Sequence, residues 1–366
     1  MPTIRLTLPQ HAYDIVIEPG VLMQAGERVA AVAPHARAAV VVDEAVAATY
    51  GNEACGMLAA AGYDAVLCPM PANESRKTLD TVASLLDTML DHRMERRSPV
   101  IAVGGGITGD VAGYAAASLL RGVPFVQCPT TLLAMVDASV GGKTGVNTRQ
   151  GKNLVGAFHQ PAVVLIDPDT LKTLPPRELR GGLAECVKHG VIRDAGLFHW
   201  IDAHAEAILA LDSDTLVELV RRNVAIKAAV VQEDEKEQGV RAHLNFGHTF
   251  AHAIEATQDK SADADPYSHG EAVALGMVAA TRLAVDAGRC DASVWDQLVA
   301  LLKRLGLPTS SDRLADDDTL LGVMRSDKKV RDGRVRLVLP DRLGAVSVVD
   351  DTPDDAIRAA WGSLRT

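Results

Sequence analysis

Apolar positions in the first half of the chain fall into short runs separated by helical patterns. Continuous or alternating apolar runs predict strands, and their bounds are 3–8, 13–19, 38–43, 64–69, 99–103, 123–129 and 161–168. Helical periodicity follows several of these runs, at 44–61, 79–94 and 107–120. Strands that alternate with helices are typical of a mostly parallel sheet covered by helices on both faces.

The second half of the chain has a different pattern. From Pro175 to about Leu305 no segment predicts a strand, whereas 177–192, 214–237 and 270–288 fit helical periodicity. Two late apolar runs, 334–340 and 344–350, predict a pair of strands before a final helix. We therefore predict a Rossmann-like α/β nucleotide-binding domain over 1–174 and a domain over 175–366 that is all-α apart from this strand pair.

Composition narrows the class of protein. A length of 366 residues suits about two domains, and 48% hydrophobic residues support a sizeable core. The net charge of −10 argues against nucleic acid as a partner, because a phosphate backbone favours basic surfaces. The five cysteines form no CxxC pair, and no apolar run approaches the ~18 residues of a membrane helix. The sequence predicts a soluble, cytoplasmic protein without a membrane partner.

A glycine-rich turn follows the predicted strand at 99–103. Gly104, Gly106 and Gly109 have the G-x-G-x-x-G spacing, between a strand and a helix whose N-terminus would direct amide groups at a pyrophosphate. A tight turn that binds nothing is the alternative interpretation. The acidic residue that commonly binds a ribose is not evident downstream, but Asp43, at the end of an earlier strand, could take that role.

The segment 121–147 predicts a second phosphate-handling site. It combines glycines, paired threonines, an aspartate and Lys143, and glycine lets the backbone approach an anion while lysine supplies a compact charge. The GGKTG sequence resembles the end of a P-loop, but Asp137 stands where a P-loop has its first glycine. A nucleoside triphosphatase is therefore disfavoured, and Lys143 and Lys152 are candidate phosphate or substrate ligands.

The helical half contains a candidate metal site. His248 and His252 are four residues apart, which places them on one face of a helix, and His269 and Glu185 are further candidate ligands. Three ligands and an open position are typical of catalytic zinc. The spacing does not decide which two of the three histidines bind, and His189 is another candidate. The alternative interpretation is that these histidines bind no metal and are either solvated or packed in the core.

Lys227 lies in the apolar run VAIKAAVV. An unpaired ammonium group is costly to bury, so the sequence predicts an anionic partner for this lysine.

Six motifs, taken together and in order, are similar to those of the dehydroquinate synthase family of sugar phosphate cyclases. The resemblance runs from about Val40 to Leu339, and the motifs are GGGITGD, RGVPFVQCPTTLLAMVDASVGGKTGVN, GKNLVGAFHQP, GGLAECVKHGVI, RAHLNFGHTFAHAIE and HGEAVALGM. The family implies an α/β nucleotide domain followed by a helical domain, and a homodimer.

The resemblance also implies a reaction and its cofactors. Family members convert 3-deoxy-D-arabino-heptulosonate 7-phosphate to 3-dehydroquinate and phosphate, in the shikimate pathway of aromatic amino acid biosynthesis. They use catalytic NAD and a divalent metal, usually Zn²⁺, with Co²⁺ as an alternative. The implied steps are transient oxidation, β-elimination of phosphate, re-reduction, ring opening and intramolecular aldol closure.

The family's functional residues carry over onto matching motif positions. The implied metal ligands are Glu185, His248 and His269. The implied NAD contacts are Asp43, Glu74, Lys77, Gly105, Gly106, Asp110, Thr130, Thr131, Asp137, Lys152 and Thr173. The implied catalytic and substrate-binding residues are Arg121, Lys143, Asn153, Lys188, Lys227, Arg241, Asn245, His252 and Lys328. Of these, Lys143, Asn153, Lys188 and His252 would hold the phosphate, and Arg241 and Lys328 the carboxylate and hydroxyl groups.

Three other interpretations compete with this one. A sister cyclase would act on another sugar phosphate, such as a heptulose 7-phosphate or glucose 6-phosphate, although Arg241, Asn245, His252 and Lys328 favour a substrate with a carboxylate. A metal-dependent polyol dehydrogenase would release NADH in step with product. A non-enzymatic interaction module would bind without turnover, but polar residues concentrated within apolar helices disfavour it.

Overall fold

The computed structural model describes residues 2–259, 261, 264–326 and 335–365. Its backbone forms two compact units. The first unit contains Met1–Leu174 and Ser213–Glu235, and the second contains Pro175–Asp212 and Lys236–Thr366. The helix Ser213–Glu233, which the sequence analysis assigned to the second domain, thus belongs to the first unit. None of the described helices is both long and apolar enough to cross a membrane.

The described strands of the first unit form a seven-stranded sheet and a separate hairpin. They are β1 Thr3–Thr7, β2 Ala12–Ile17, β3 Arg37–Asp43, β4 Asp64–Met70, β5 Val100–Gly104, β6 Phe125–Pro129, β7 Lys143–Thr148, β8 Gly151–Phe158 and β9 Val163–Ile166. The order in the sheet is β1-β2-β9-β6-β5-β3-β4, and every pairing except β1 with β2 is parallel. The predicted mostly parallel sheet is confirmed.

Helices cover both faces of this sheet. The longer ones in the first unit are α1 Ala25–Val32, α2 Asn52–Ala60, α3 Leu79–Asp91 and α4 Gly106–Ser118, together with Ser213–Glu233. Successive residues of β3 point to opposite faces: Val41 packs in a core with α3 and α4, and Val40 in a core with α1 and α2. Because both faces are buried, the strands are continuously apolar, which is the pattern that predicts them.

The strand order reverses between β3 and β5. From β3 the chain adds β4 on one side and β5 on the other, so β3 and β5 are neighbours with parallel carboxyl ends. Ligands of open α/β sheets bind outside the carboxyl ends at such a reversal. Asp43 ends β3 and the turn Gly104–Gly106 follows β5, so these residues lie at this position.

The hairpin β7–β8 is an element that the sequence analysis did not predict. Its two strands pair antiparallel with Gly145 opposite Gly156. A Cβ on Gly156 would lie 2.0 Å from the carbonyl oxygen of Thr144, so only glycine fits this close backbone approach. The glycines interrupt the alternation of side chains that predicts strands, so the sequence pattern does not indicate this hairpin.

The second unit is mainly helical. The helix Ser213–Glu233 of the first unit is α8. The helices of the second unit are α5 Pro176–Arg193, α6 Ala195–Ala203, α7 Ala205–Leu209, α9 His248–Thr257, α10 His269–Asp286, α11 Ala292–Arg304, α12 Asp317–Ser326 and α13 Asp354–Gly362. The predicted late strand pair is present as β10 Leu337–Arg342 and β11 Ala345–Val349, which pair antiparallel. Trp361 of α13 is fully buried against Phe250 of α9, with ring centroids 4.8 Å apart.

Candidate functional site

The glycine turn between β5 and α4 packs against residues that follow β6. A Cβ on Gly105 or Gly106 would lie 3.2 Å from Thr131 or Ala138, respectively. The backbone N–H of Thr130 donates to the carbonyl oxygen of Gly104 at 2.9 Å, which joins the ends of β5 and β6. Gly105, Gly106, Thr130 and Thr131, which the resemblance assigns to NAD, therefore form one surface at the carboxyl end of the sheet.

Lys77 is the centre of a polar cluster beside this turn. Its buried ammonium group donates to Asp110 Oδ2 at 2.5 Å and to Asn153 Oδ1 at 2.6 Å. Burial raises the pKa of the Asp110 carboxyl, while the charge and hydrogen bond of Lys77 act in the opposite direction. Two residues assigned to NAD and one assigned to substrate phosphate thus share one set of hydrogen bonds.

Asn147, which no sequence pattern singles out, links this cluster to Glu74. Its side chain donates to Glu74 Oε1 at 2.8 Å and accepts from the Asn153 N–H at 2.9 Å, while Lys152 Nζ lies 3.8 Å from Glu74 Oε1. Asn153 has a positive φ of 53°, which is strained for a residue other than glycine. The turn of the β7–β8 hairpin is therefore held against residues 74–77.

We expect the Lys77→Met variant to bind NAD at least about 10-fold more weakly, because Asp110 and Asn153 lose a charged hydrogen-bond donor. Isothermal titration with NAD measures this. The control is Arg5→Met, which removes an exposed ion pair with Asp14 in the same unit and should leave the affinity unchanged. Wild-type affinity in Lys77→Met would contradict the role of the cluster.

Asp43, at the carboxyl end of β3, and Thr173 are two of the other residues assigned to NAD. The Asp43 carboxylate caps a short helical turn by accepting from the Ala45 N–H at 3.0 Å. Thr173 Oγ1 lies 2.9 Å from the hydroxyl oxygen of Tyr50.

Arg121 and Lys143 follow strained or glycine-dependent turns. Arg121 is exposed, and Leu120, Arg121 and Gly122 have consecutive positive φ values of 50°, 72° and 117°. Lys143 is exposed at the start of β7, after Gly141 and Gly142 with φ values of 97° and 64°. Backbone strain such as that at Leu120 and Arg121 occurs often at binding sites.

Lys227 of α8 forms an ion pair with Asp137. Lys227 is almost fully buried, and this contact confirms the anionic partner that its apolar surroundings predict. The pair brings a residue assigned to substrate together with one assigned to NAD.

Glu185, His248 and His269 form a compact group in the second unit. One ligand atom of each lies within 4.8 Å of the other two. His248 Nε2 is 3.4 Å and His269 Nε2 is 3.7 Å from Glu185 Oε1, so both imidazoles direct the same nitrogen at one carboxylate oxygen. One carboxylate and two imidazoles are a ligand set that suits zinc, and the open side of such a set is where a substrate binds. His252 lies outside this group, whereas a ring nitrogen of His189, the further candidate on α5, lies within 4.8 Å of a Glu185 carboxylate oxygen.

Glu185 is fully buried and forms an ion pair with Lys188, one turn later on α5. Although burial opposes ionisation, the charge of Lys188 holds the pKa of Glu185 well below its ordinary value. Burial lowers the pKa of His248 to about 4, which keeps this imidazole neutral, the form that binds metal. Burial also lowers the pKa of His269, but hydrogen bonds to Glu185 and Glu255 outweigh it and raise this pKa to about 10.

Close backbone contacts hold the three ligand-bearing helices together. A Cβ on Gly270 of α10 would lie 2.2 Å from the carbonyl oxygen of Gly181 on α5, and a Cβ on Gly276 would lie 2.1 Å from that of Gly247 before α9. Arg177 donates two hydrogen bonds to Glu271, at 2.9 and 2.7 Å, which fixes the start of α10 against α5. The glycines thus let helices from distant parts of the sequence bring Glu185, His248 and His269 together.

We expect the Gly270→Ala variant to lose about 1–3 kcal/mol of stability, because the added methyl group forces α10 away from α5. It should also retain less zinc after dialysis. Thermal unfolding and metal analysis measure both effects. Gly322→Ala on α12 is the control, since its Cβ would meet no atom within 4 Å and helix propensity favours alanine. Equal stability and zinc content in both variants would contradict this role for Gly270.

Three of the remaining residues assigned to substrate, His252, Arg241 and Asn245, lie in the same unit. His252 follows His248 by one turn on α9, with ring centroids 5.9 Å apart. Arg241 is almost fully buried, and the Asn245 side chain donates to Glu237 Oε1 at 2.9 Å. Lys328 lies outside the residues that the structure describes.

Comparisons with known proteins agree with the fold. Sequence models of the 3-dehydroquinate synthase N-terminal and C-terminal regions match residues 67–181 and 182–330. The chain is 43% identical to the 3-dehydroquinate synthase of Nostoc punctiforme, with 97% of each chain covered. It is 46% identical to that of Paracoccus denitrificans, with 99% of each covered.

A solved structure is also similar over nearly the whole chain. The 2-epi-5-epi-valiolone synthase of Streptomyces hygroscopicus subsp. jinggangensis, with NAD⁺ and Zn²⁺ bound, superposes with a TM-score of 0.87 at 32% identity, with 98% of each chain covered. This similarity, together with the matching sequence models, places the chain among the sugar phosphate cyclases. Within that class, the chain belongs to the 3-dehydroquinate synthase family.

Proposed function

We propose that this protein converts 3-deoxy-D-arabino-heptulosonate 7-phosphate to 3-dehydroquinate and phosphate, as a step of the shikimate pathway. The observation that carries the proposal is identity of 43–46% with 3-dehydroquinate synthases over 97–99% of the chain. Identity with the valiolone synthase is lower, at 32%. This difference favours the carboxylate-bearing heptulosonate over the substrates of sister cyclases.

Glu185, His248 and His269 would hold a divalent metal, Zn²⁺ or alternatively Co²⁺. The fit follows from the donor set, since the fully buried Glu185 carboxylate and the imidazoles of two partly exposed histidines converge within 4.8 Å. NAD would bind at the carboxyl ends of β3, β5 and β6, against the Gly105–Gly106 turn and the cluster around Lys77. When bound, the metal supplies Lewis-acid polarisation of a substrate hydroxyl, and NAD supplies a reversible two-electron oxidation.

The chain's own residues would bind and orient the substrate. Lys143, Asn153, Lys188 and His252 would hold the phosphate, because ammonium, amide and imidazole groups donate to phosphate oxygens. Arg241 would hold the carboxylate, together with Asn245 and Lys328, because a guanidinium matches a carboxylate with two parallel hydrogen bonds. Lys227 and Arg121 add positive charge, and Asp137 orients Lys227. Bound in this way, the substrate has its leaving phosphate and its carboxylate fixed by separate groups.

A comparison of substrates tests the proposal. Purified protein with Zn²⁺ and NAD receives the heptulosonate 7-phosphate, a heptulose 7-phosphate without the carboxylate, or glucose 6-phosphate, and phosphate release is measured. We expect release from the heptulosonate to be at least about 100-fold faster, since an unfilled carboxylate site leaves buried polar groups unpaired. Faster release from either of the other sugars would assign the protein to a sister cyclase.

We extend the proposal to a cytoplasmic homodimer. The family resemblance supports the dimer, and the five free cysteines, Cys55, Cys68, Cys128, Cys186 and Cys290, suit a reducing compartment. Light scattering should give twice the chain mass of 38.7 kDa. A monomer at micromolar concentration would contradict the dimer without affecting the proposed reaction.

A further inference from the structure

A histidine that binds a metal through one ring nitrogen needs a defined partner for the other. At His248, Nδ1 lies 3.1 Å from the carbonyl oxygen of Phe246. A carbonyl oxygen only accepts, so Nδ1 carries the hydrogen and Nε2 is left with its lone pair. This Nε2 is the nitrogen that faces Glu185.

His269 has the same arrangement with a different partner. Its Nδ1 lies 3.3 Å from Glu255 Oε1, while its Nε2 faces Glu185 Oε1 at 3.7 Å. A carboxylate accepts, so Nδ1 donates here too, and a metal that displaced the proton from Nε2 would leave a neutral ring with its hydrogen on Nδ1. The two imidazoles are therefore oriented alike, one by a backbone carbonyl and the other by a charged side chain.

Glu255 is placed for this contact by its helix. It lies on α9 seven residues after His248, which is two helical turns, so the two side chains share one face. Its side chain is only 9% exposed, and a buried carboxylate is retained only where it is hydrogen-bonded or paired. Because His269 begins α10, the contact also joins the two helices that supply the histidines.

We propose that Glu255 is a positioning residue for the metal centre. It holds His269 in the Nδ1–H tautomer, orients its Nε2 towards Glu185 and increases the basicity of the ring as a ligand. Partners of this kind stabilise bound metal although they do not touch it, and their loss commonly weakens metal affinity about 10–100-fold. The inference rests on the metal site of the proposed function but concerns metal affinity, which is measurable without turnover.

A purely structural role for Glu255 makes a different prediction. If Glu255 only paired with His269 to join α9 and α10, its loss would lower the stability of the metal-free protein and leave the intrinsic zinc affinity unchanged. Glu255→Gln separates the two roles, because the amide oxygen still accepts from Nδ1–H but carries no charge. A positioning role therefore predicts graded zinc affinity in the order wild type, Glu255→Gln, Glu255→Ala.

The experiment is competition for Zn²⁺ between the metal-free protein and a chromophoric chelator, with thermal unfolding measured in parallel. We expect about 10–100-fold weaker zinc binding in Glu255→Ala, a smaller loss in Glu255→Gln and no change in the control Thr257→Val. Thr257 lies on the same helix, and its hydroxyl donates to the Ala253 carbonyl oxygen instead. In ¹⁵N-histidine spectra of the zinc-loaded protein, the Nδ1–H signal of His269 should shift upfield in Glu255→Gln.

Two results would overturn the inference. One is wild-type zinc affinity in Glu255→Ala, and the other is failure of the wild-type protein to bind zinc, which would also remove the metal from the proposed function. A third outcome separates the two proposals. If the Glu255 variants bind zinc more weakly as expected but the wild-type protein releases no phosphate, the role of Glu255 is supported and only the proposed reaction is overturned.

Discussion

Turnover is expected to fall by about 10³-fold or more in the Glu185→Gln variant, with loss of bound zinc after dialysis. Glu185 Oε1 is the atom that both His248 Nε2 and His269 Nε2 face, so an amide at this position removes the only negative charge of the ligand group. Lewis-acid stabilisation by a metal contributes several kcal/mol to a transition state, and about 4 kcal/mol corresponds to this factor. Phosphate release and metal analysis measure the two effects.

Glu178→Gln is the matched control for this variant. Glu178 lies on the same helix, α5, but is exposed in its first turn. It should keep wild-type zinc content and turnover. If Glu185→Gln also kept both, the metal ligand group would be assigned wrongly.

The second large effect is expected on stability, in the Lys188→Met variant. Lys188 and Glu185 are both almost fully buried and form an ion pair. Removing one partner of a buried pair typically costs about 3–5 kcal/mol, because the other charge is left uncompensated. We expect a loss of this size in the free energy of unfolding of the metal-free protein, measured with urea.

Zinc should restore part of this loss. A divalent cation beside Glu185 replaces the missing positive charge, so zinc should stabilise Lys188→Met more than it stabilises the wild-type protein. Lys303→Met, an exposed lysine on α11, is the control and should change stability by less than about 0.5 kcal/mol. Unchanged stability of metal-free Lys188→Met would show that the pair is not what keeps Glu185 ionised.

The sheet of the first unit could be predicted because its strands are buried on both faces. Val40, Val41 and Val42 form an uninterrupted apolar run, and such runs, separated by helices, define a parallel sheet. The β7–β8 hairpin could not be predicted in this way, since Gly145 and Gly156 pair through backbone proximity and carry no side-chain pattern. The place of α8 in the first unit depends on tertiary packing, which order along the chain does not specify.

Some features of the candidate site could be predicted from the sequence and others could not. Lys227 required an anion because of its own apolar neighbours, but only the fold identifies that anion as Asp137. Helical spacing indicated His248 and His252 as a pair of metal ligands, but the group in the structure contains His248 and His269. His269 lies on a different helix, α10, which the close contact between Gly181 and Gly270 holds against α5. Neither Glu255 nor Asn147 was predicted from the sequence as a residue of the site. The sequence does place polar residues at 248, 252 and 255, which share one face of a buried helix, and this pattern could have indicated that Glu255 belongs to the site.

The most direct test of the proposed function follows all reactants in one sample. Zinc-loaded protein receives the heptulosonate 7-phosphate in large excess over NAD, while phosphate, 3-dehydroquinate and NADH absorbance are recorded, with a metal-free sample in parallel. The proposal predicts equal amounts of phosphate and 3-dehydroquinate, no net accumulation of NADH and no reaction without metal. NADH that accumulates in step with product would instead indicate a dehydrogenase and would contradict the proposed cyclisation.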